Sequence, residues 1–385
     1  MRAILPVVFF LVTLVSAAQV KCGADRTGIY LPLLREKKIA VVSNPASRIG
    51  NVHLVDSLVR AGITIGVIFS PEHGFRTFSE AGRTIGNSID SATRIPIISL
   101  YGKQKKPVKS DLADIDLVLF DLQDVGVRFY TYISTLSYVM EACAENNVPM
   151  IILDRPNPNG FYIDGPVLEE QFSSFAGLHP VPIVYGMTIG EYAQMVNGEG
   201  WLKNAVICEL QVIPIENYTH YSMYQLPVNP SPNLRTMNAV HLYPSLCLFE
   251  GTSISIGRGT AFPFEVFGSP AMKGFSFSFI PESTHGGGQN PLYKGQNCRG
   301  LDLRSFYSTH PKMFGRLNLS WLIMAFKDLG SDPAFFNDYF EKLAGNSSLR
   351  NQIIHGLPET EIRNSWQKDL ELFRETRRKY LIYPE

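Results

Sequence analysis

Pro71-Glu72-His73-Gly74 is the segment where reactive side chains and backbone constraint coincide. Proline restricts the residue before it, and glycine permits an abrupt turn after the pair, so both side chains can be held toward a cleft. A glutamate in a partly dry site can keep its proton and act as a general acid. His73 would orient it or bind substrate. Metal ligation would need partners, and the other histidines form no HExxH pattern and no close pair, so no metal site is expected.

A second dense run is Asp121-Leu122-Gln123-Asp124-Val125-Gly126-Val127-Arg128-Phe129-Tyr130-Thr131-Tyr132. Asp121 closes an apolar run and is a candidate catalytic residue with Glu72 and His73. Asp124 and Arg128, four apart, read as a local ion pair. Tyr130 and Tyr132 would stack on a sugar or pack under the loop. Glu169 follows the Asp164-Gly165-Pro166-Val167-Leu168 run. Tyr185 closes the Gly-, Pro- and aromatic-rich stretch from Asp164 to Gly186, read as an ordered loop framing a cleft. Glu250-Gly251-Thr252 and Arg258-Gly259-Thr260 bracket an apolar segment, and their charges would meet a ligand or each other. Asn44, Arg155, Glu169, Tyr185, Glu250 and Arg258 are the candidate substrate-binding residues.

Most of these groups follow short apolar runs that alternate with helical patterns. Lys38 to Ser43, Ile63 to Phe69, Arg94 to Leu100, Asp116 to Phe120, Val148 to Leu153 and Val206 to Ile215 read as strands; Val52 to Arg60 and Ile133 to Asn146 read as helices. That alternation predicts a mostly parallel, Rossmann-like sheet buried on both faces. Asn44, Glu72, His73, Asp121, Asp124, Asp154 and Arg155 fall at the carboxyl ends of its strands, the edge where open α/β sheets bind ligands. The bland alternative is that Asp and Asn there cap helices and turns. No nucleotide cofactor is expected, because Asn44-Pro45-Ala46-Ser47-Arg48-Ile49-Gly50 lacks a glycine-rich phosphate turn. Thr188 followed by Glu191 fits a helix capping box. The second half reads as a smaller α+β domain: an extended run from Leu246 to Ile256, a strand from Gly274 to Pro281, and helices over Leu317–Leu329, Asp332–Leu343 and Glu359–Tyr380. The expected domains are 24–225, Rossmann-like α/β, and 226–385, which completes the cleft.

The 385 residues carry 35 Lys plus Arg against 35 Asp plus Glu, so no global field attracts a polyanion and nucleic acid is not an expected partner. Residues 1–18 read as a signal peptide, with Arg2, an apolar Ile4 to Val15 and Ser16-Ala17-Ala18. The apolar run is short for a spanning helix, so the expectation is a periplasmic or otherwise exported protein with no stable membrane insertion. Lys21 before Cys22 does not fit a lipoprotein cleavage box. Of the five cysteines, Cys143 and Cys208 read as small core residues.

Taken in order, Ser70-Pro71-Glu72-His73-Gly74, the Asp121–Tyr132 run, Asp154-Arg155-Pro156-Asn157-Pro158, Tyr185-Gly186-Met187-Thr188-Ile189-Gly190-Glu191, and Phe249-Glu250-Gly251-Thr252 with Gly257-Arg258-Gly259-Thr260 resemble the bacterial exo-β-N-acetylmuramidase family. The resemblance covers nearly all of the chain after the signal. It implies a Rossmann-like domain joined to a smaller one, with the active site between them. It also implies release of N-acetylmuramic acid from non-reducing ends of peptidoglycan-derived chains, with Glu72 matching the favoured catalytic glutamate. The expected partner is a muropeptide-derived or disaccharide substrate carrying that sugar. Glycoside cleavage needs an acid and help for the sugar's positive charge, from Asp121, Glu169, Glu250 or the substrate's own acetamido group. Retention and inversion stay open. The lactyl carboxylate calls for a cation, for which Arg258 and Arg155 are candidates and Arg128 is read as structural. Two rivals are a hydrolase using His73, which lacks a GxSxG elbow, and a carbohydrate-binding protein without catalysis.

Overall fold

The computed structural model describes residues 19–76, 86–284 and 288–385. The signal-peptide reading of residues 1–18 therefore lies outside the described residues. In chain order the first half holds β1 (Lys38–Ser43), β2 (Arg48–Ile49), β3 (Val52–His53), β4 (Thr64–Ser70), β5 (Ser88–Ile89), β6 (Pro96–Ser99), β7 (Leu117–Asp121), β8 (Met150–Leu153), β9 (Asp164–Val167), β10 (Pro182–Val184) and β11 (Leu210–Ile213). Seven of these form one sheet in the order β11-β8-β7-β1-β4-β6-β5, and every pairing is parallel except β5 with β6. The fold class is as expected: a mostly parallel, Rossmann-like sheet joined to a smaller α+β region.

The central strands β7 and β8 are buried along their whole length, which is why they read as continuous apolar runs with no alternation. Helices α1 (Thr27–Leu34) and α2 (Leu54–Arg60) contribute Tyr30, Leu34, Leu54 and Leu58 to the core on one face. Helices α3 (Tyr132–Asn146) and α4 (Ile189–Gly198) cover the other. Thr188 caps α4 as read: its hydroxyl accepts from Glu191 N–H at 3.3 Å while the Glu191 carboxylate accepts from Thr188 N–H at 2.9 Å. The chain runs from β1 to β4 and β6 on one side and then crosses back to place β7 on the other side of β1, so the sheet's switch point lies at Ser43, Asn44 and Asp121.

The second half contains α5 (Met237–Leu246), the antiparallel strands β12 (Val266–Ser269), β13 (Phe277–Phe279) and β14 (Cys298–Asp302) in the order β12-β14-β13, and helices that include Ser320–Asp328, Tyr339–Ala344, Ser348–Ile354, Glu359–Ser365 and Gln367–Arg378. Three expectations change here. The Leu246–Ile256 run is not an extended strand: α5 ends at Leu246 and Cys247–Gly251 form a 3₁₀ turn. Leu246, Leu248, Phe249 and Ile254 are at most 2% exposed, and a run buried on all sides loses the periodicity that separates helix from strand. The Glu359–Tyr380 helix breaks at Trp366, and Asp332–Leu343 divides into a turn at Pro333–Phe335 and a helix from Tyr339.

The two halves share one apolar core running from Tyr132 and Leu136 through Phe249 to Phe340 and Trp366. Arg128 pins them together. Its fully buried guanidinium donates to Pro166 O (2.9 Å) and Val181 O (2.8 Å) on one side and to Leu343 O (2.8 Å) and Ala344 O (2.7 Å) on the other. The expected Asp124–Arg128 pair does not form; Asp124 instead accepts from Gly126 N–H at 2.7 Å and from the Tyr185 hydroxyl. No helix among the described residues is long and apolar enough to cross a membrane. The five cysteines are free and buried.

Candidate active site

Where β4 ends, the chain must turn sharply, and it does so through two consecutive left-handed residues, His73 (φ 75°) and Gly74 (φ 94°). A histidine in that region is strained, and such strain persists only where surrounding contacts over-determine it. Glu72 and His73 both line a cleft of about 640 Å³ between the two halves of the chain. Thr131 Oγ1 donates to Glu72 Oε2 at 3.3 Å, and the Tyr132 hydroxyl donates to the Glu72 carbonyl at 3.4 Å. The Tyr101 hydroxyl hydrogen-bonds Glu72 as well; burial first, then that carboxylate, raises the Tyr101 pKa. The glutamate is thus held by Tyr101, two residues beyond β6, and by the N-terminus of α3.

The facing wall comes from the second half. Arg258 Nε and Nη2 both donate to Glu250 Oε1, at 2.8 and 2.5 Å, so the two charges that bracket the Glu250–Thr260 segment do meet. The Arg258 guanidinium also lies 5.0 Å from the Phe264 ring centre. Rings continue along the floor: Tyr243 packs edge-on against Phe264 at 5.0 Å, Phe129 at 5.5 Å and Tyr130 at 6.0 Å. Tyr339 and Lys342 from the Tyr339–Ala344 helix close the far side, and Lys105 stands 4.7 Å over the Phe175 ring at the near side. Burial, chiefly, raises the Tyr339 pKa, with the Cys247, Glu250 and Glu72 charges adding to it. Tyr339 thus lines the same cleft as both carboxylates.

Tyr130 and Tyr132 line this cleft, and so do four of the nine candidate catalytic and substrate-binding residues, Glu72, His73, Glu250 and Arg258. The other five do not. Asp121 is fully buried with both carboxylate oxygens taken by Arg155, at 2.5 and 2.8 Å, so neither is placed to meet a sugar in the cleft. That ion pair joins the ends of β7 and β8, and Arg155 also reaches Arg48 O at 3.2 Å. Asn44 acts one layer behind the cleft: its Nδ2 donates to the Tyr132 hydroxyl at 3.0 Å, and Tyr132 in turn holds Glu72. Glu169 is exposed and accepts from Gln171 Nε2 at 2.9 Å. Tyr185 is fully buried and spends its hydroxyl on Asp124. Burial raises the Asp124 pKa to about 6 against the Tyr185 hydrogen bond, and burial raises that of Asp154 to about 7.

Sequence reading passed over Tyr101, Asn233, Tyr243, Tyr339 and Lys342 as site residues. Tyr101 had a usable signal, because it follows a strand's carboxyl end. Asn233 lies in the polar turn Asn229-Pro230-Ser231-Pro232-Asn233-Leu234, whose residue types suit the rim of a cleft between the two halves. Tyr339 and Lys342 had none, since a distant helix delivers them. Among the described residues no group of three or more acidic, His or Cys side chains is placed to hold a metal ion.

A parallel sheet that presents a buttressed glutamate at a strand end, facing an aromatic and charged wall from a second region, defines a two-part α/β protein with an acid-bearing cleft. The chain belongs to the exo-β-N-acetylmuramidase family, formerly DUF1343: the N-terminal family model matches residues 39–238 and the C-terminal one residues 241–383. The peptidoglycan β-N-acetylmuramidase NamZ of Bacillus subtilis (strain 168) is 39% identical over 376 residues, covering 92% of this chain and 89% of that protein. Two DUF1343 family proteins from Bacteroides fragilis share the architecture. One is 45% identical with a TM-score of 0.89 over 96% of this chain and 100% of its own; the other is 27% identical with a TM-score of 0.77 over 94% and 99%.

Proposed function

We propose that this protein releases N-acetylmuramic acid from the non-reducing ends of peptidoglycan fragments, with Glu72 donating the proton to the leaving oxygen. The observation that carries the reading is a glutamate lining the cleft while Thr131, Tyr132 and Tyr101 fix it from two elements. A general acid must be aimed before the bond breaks, and hydroxyl donors at its carboxylate and carbonyl aim it. Glu250 is the other carboxylate that lines the cleft among the described residues. Facing Glu72 from the opposite half, it balances the positive charge that develops on the sugar as the glycosidic bond lengthens. Its two hydrogen bonds from Arg258 hold it in place for that role.

The lactyl carboxylate of the sugar meets Arg258 through the guanidinium nitrogen that Glu250 leaves open, with Lys105 and Lys342 as the other cations of the lining. The rings of Tyr243, Phe264 and Phe129 supply the flat apolar surface that a pyranose packs against. The apolar stretch Ile4 to Val15 supports export, to the periplasm or beyond. The test is turnover of a chromogenic β-N-acetylmuramide and of the matching N-acetylglucosaminide by the wild type and by Glu72→Gln. We expect the muramide to be preferred and the variant to lose about 10²–10⁴-fold in kcat with its thermal melt unchanged. Near-normal turnover by the folded variant would reject Glu72 as the acid.

A further inference from the structure

Asn233 lines the cleft, yet it is only 2% exposed, and both its Oδ1 and its Nδ2 are closed to water and make no hydrogen bond. Among the described residues it is the one side chain with two such orphaned atoms, and the one bearer of an orphaned atom that lines the cleft. Folded proteins pair nearly all buried polar groups, so a carboxamide left open at both ends calls for a partner that arrives later.

The segment around it is fixed. The Tyr130 hydroxyl donates to Pro230 O at 2.7 Å, Ser231 Oγ accepts from the N–H groups of Asn233 (3.3 Å) and Leu234 (3.2 Å), and Arg235 Nε donates to Pro232 O at 2.9 Å. Pro230 and Pro232 stiffen the same turn. The backbone is satisfied while the side chain is not. Tyr130 also precedes Thr131, the donor to Glu72, so one short segment ties the orphaned amide to the acid.

We propose that Asn233 recognises the 2-acetamido group of the bound sugar. A secondary amide offers one donor and one acceptor, the complement of a carboxamide: Nδ2–H donates to the acetyl oxygen and Oδ1 accepts from the acetamido N–H. Rotation about the broad terminal torsion of the side chain, unopposed by existing hydrogen bonds, turns it to the ligand. Tyr243 and Phe264, which line the same cleft, offer apolar surface for the acetyl methyl. A 2-hydroxyl in the same place offers a single atom and leaves half of the carboxamide unpaired, so the site discriminates against it.

The inference rests on the glycan-cleaving reading for the identity of the ligand, and equilibrium binding tests it apart from turnover. N-acetylmuramic acid and its 2-hydroxy counterpart are titrated into wild type, Asn233→Ala and Asn233→Asp, and aryl glycosides of both sugars are assayed in parallel. Wild type should prefer the acetamido sugar by about 10²-fold or more, and Asn233→Ala should bring the ratio to within about tenfold of unity. Asn233→Asp, which keeps the acceptor and loses the donor, should fall between them. A structural asparagine would destabilise the fold when truncated, whereas removing an orphaned amide should leave the melting temperature unchanged or raise it. Should the protein bind the sugars without turning them over, the glycosidase reading falls and the Asn233 assignment stands on the binding ratio. An Asn233→Ala ratio equal to that of the wild type overturns the assignment.

Discussion

Replacing Arg128 by Met removes the clamp between the two halves of the chain and leaves four backbone carbonyls, of Pro166, Val181, Leu343 and Ala344, without the donor they now share. The side chain is fully buried, so water does not take over. A hydrogen bond from a charged donor contributes about 1.5–3 kcal/mol, while relief from burying the guanidinium offsets part of that sum. Each buried acceptor left unpaired costs about 1–3 kcal/mol, so with that offset the net loss should be a few kcal/mol, a large share of the about 5–15 kcal/mol that holds a domain folded. Two glycines wall the group: a Cβ on Gly345 would stand 2.5 Å from Arg128 Nη2, and one on Gly177 3.1 Å from its Cγ and Cδ. Gly345→Ala, strained also by its φ of 81°, should therefore destabilise through the same contact and cost less in the Arg128→Met background. Urea unfolding followed by far-UV circular dichroism and by fluorescence checks this, because Trp201 reports on the first half and Trp321 and Trp366 on the second. Loss of less than about 1 kcal/mol in Arg128→Met, at unchanged m, would refute the reasoning by showing that the carbonyls find other donors.

Arg258→Ala should reduce the preference for a muramide over the matching N-acetylglucosaminide by about tenfold, the equivalent of 1.4 kcal/mol; an unchanged ratio in paired kcat/KM measurements assigns the lactyl carboxylate to another group. His179 is buried, hydrogen-bonds Ser137 Oγ at 2.9 Å and has its pKa lowered by burial to about 4 from 6.5. The unfolded chain then takes up its proton first, so this stability is present above pH 6.5 and is lost as pH falls toward 4. Burial lowers His53 and His241 to about 4 and acts in the same sense, whereas Asp124 and Asp154, raised to about 6 and about 7, act in the opposite one. His179→Gln should make the stability–pH slope less positive by at most about 1.4 kcal/mol per pH unit across that window, and an identical slope in urea titrations contradicts it. Thr188→Ala should destabilise by about 1–2 kcal/mol, since the hydroxyl caps α4 and donates to the buried Asp154 at 2.7 Å; a melt equal to that of wild type excludes it.

The parallel sheet was legible because its strands are short, apolar and bounded by polar turns, and that pattern survives in one dimension. The Lys38–Ser43 strand agrees residue for residue, and the others shift by a few residues at their ends. The Glu72 turn was legible for a related reason: proline and glycine restrict the backbone locally, and the left-handed pair His73–Gly74 is the form that restriction takes. The second half was harder to read. The Leu246–Ile256 run lies in the core on all sides, so neither a period of two nor one of 3.6 marks it.

Residue type and strand-end position nominated an acid, its neighbours and a set of charged candidates, all properties carried within a few bonds of chain. Strand-end position alone did not rank Glu72 against Asp121, because both follow apolar runs that end on the same edge of the sheet. Packing separates them. Asp121 faces Arg155 from the next strand and is sealed off, while Glu72 opens on a wall built from residues more than 150 positions away. Which carboxylate stays available is a matter of what the folded chain brings against it, and contacts at that separation leave no trace in local spacing.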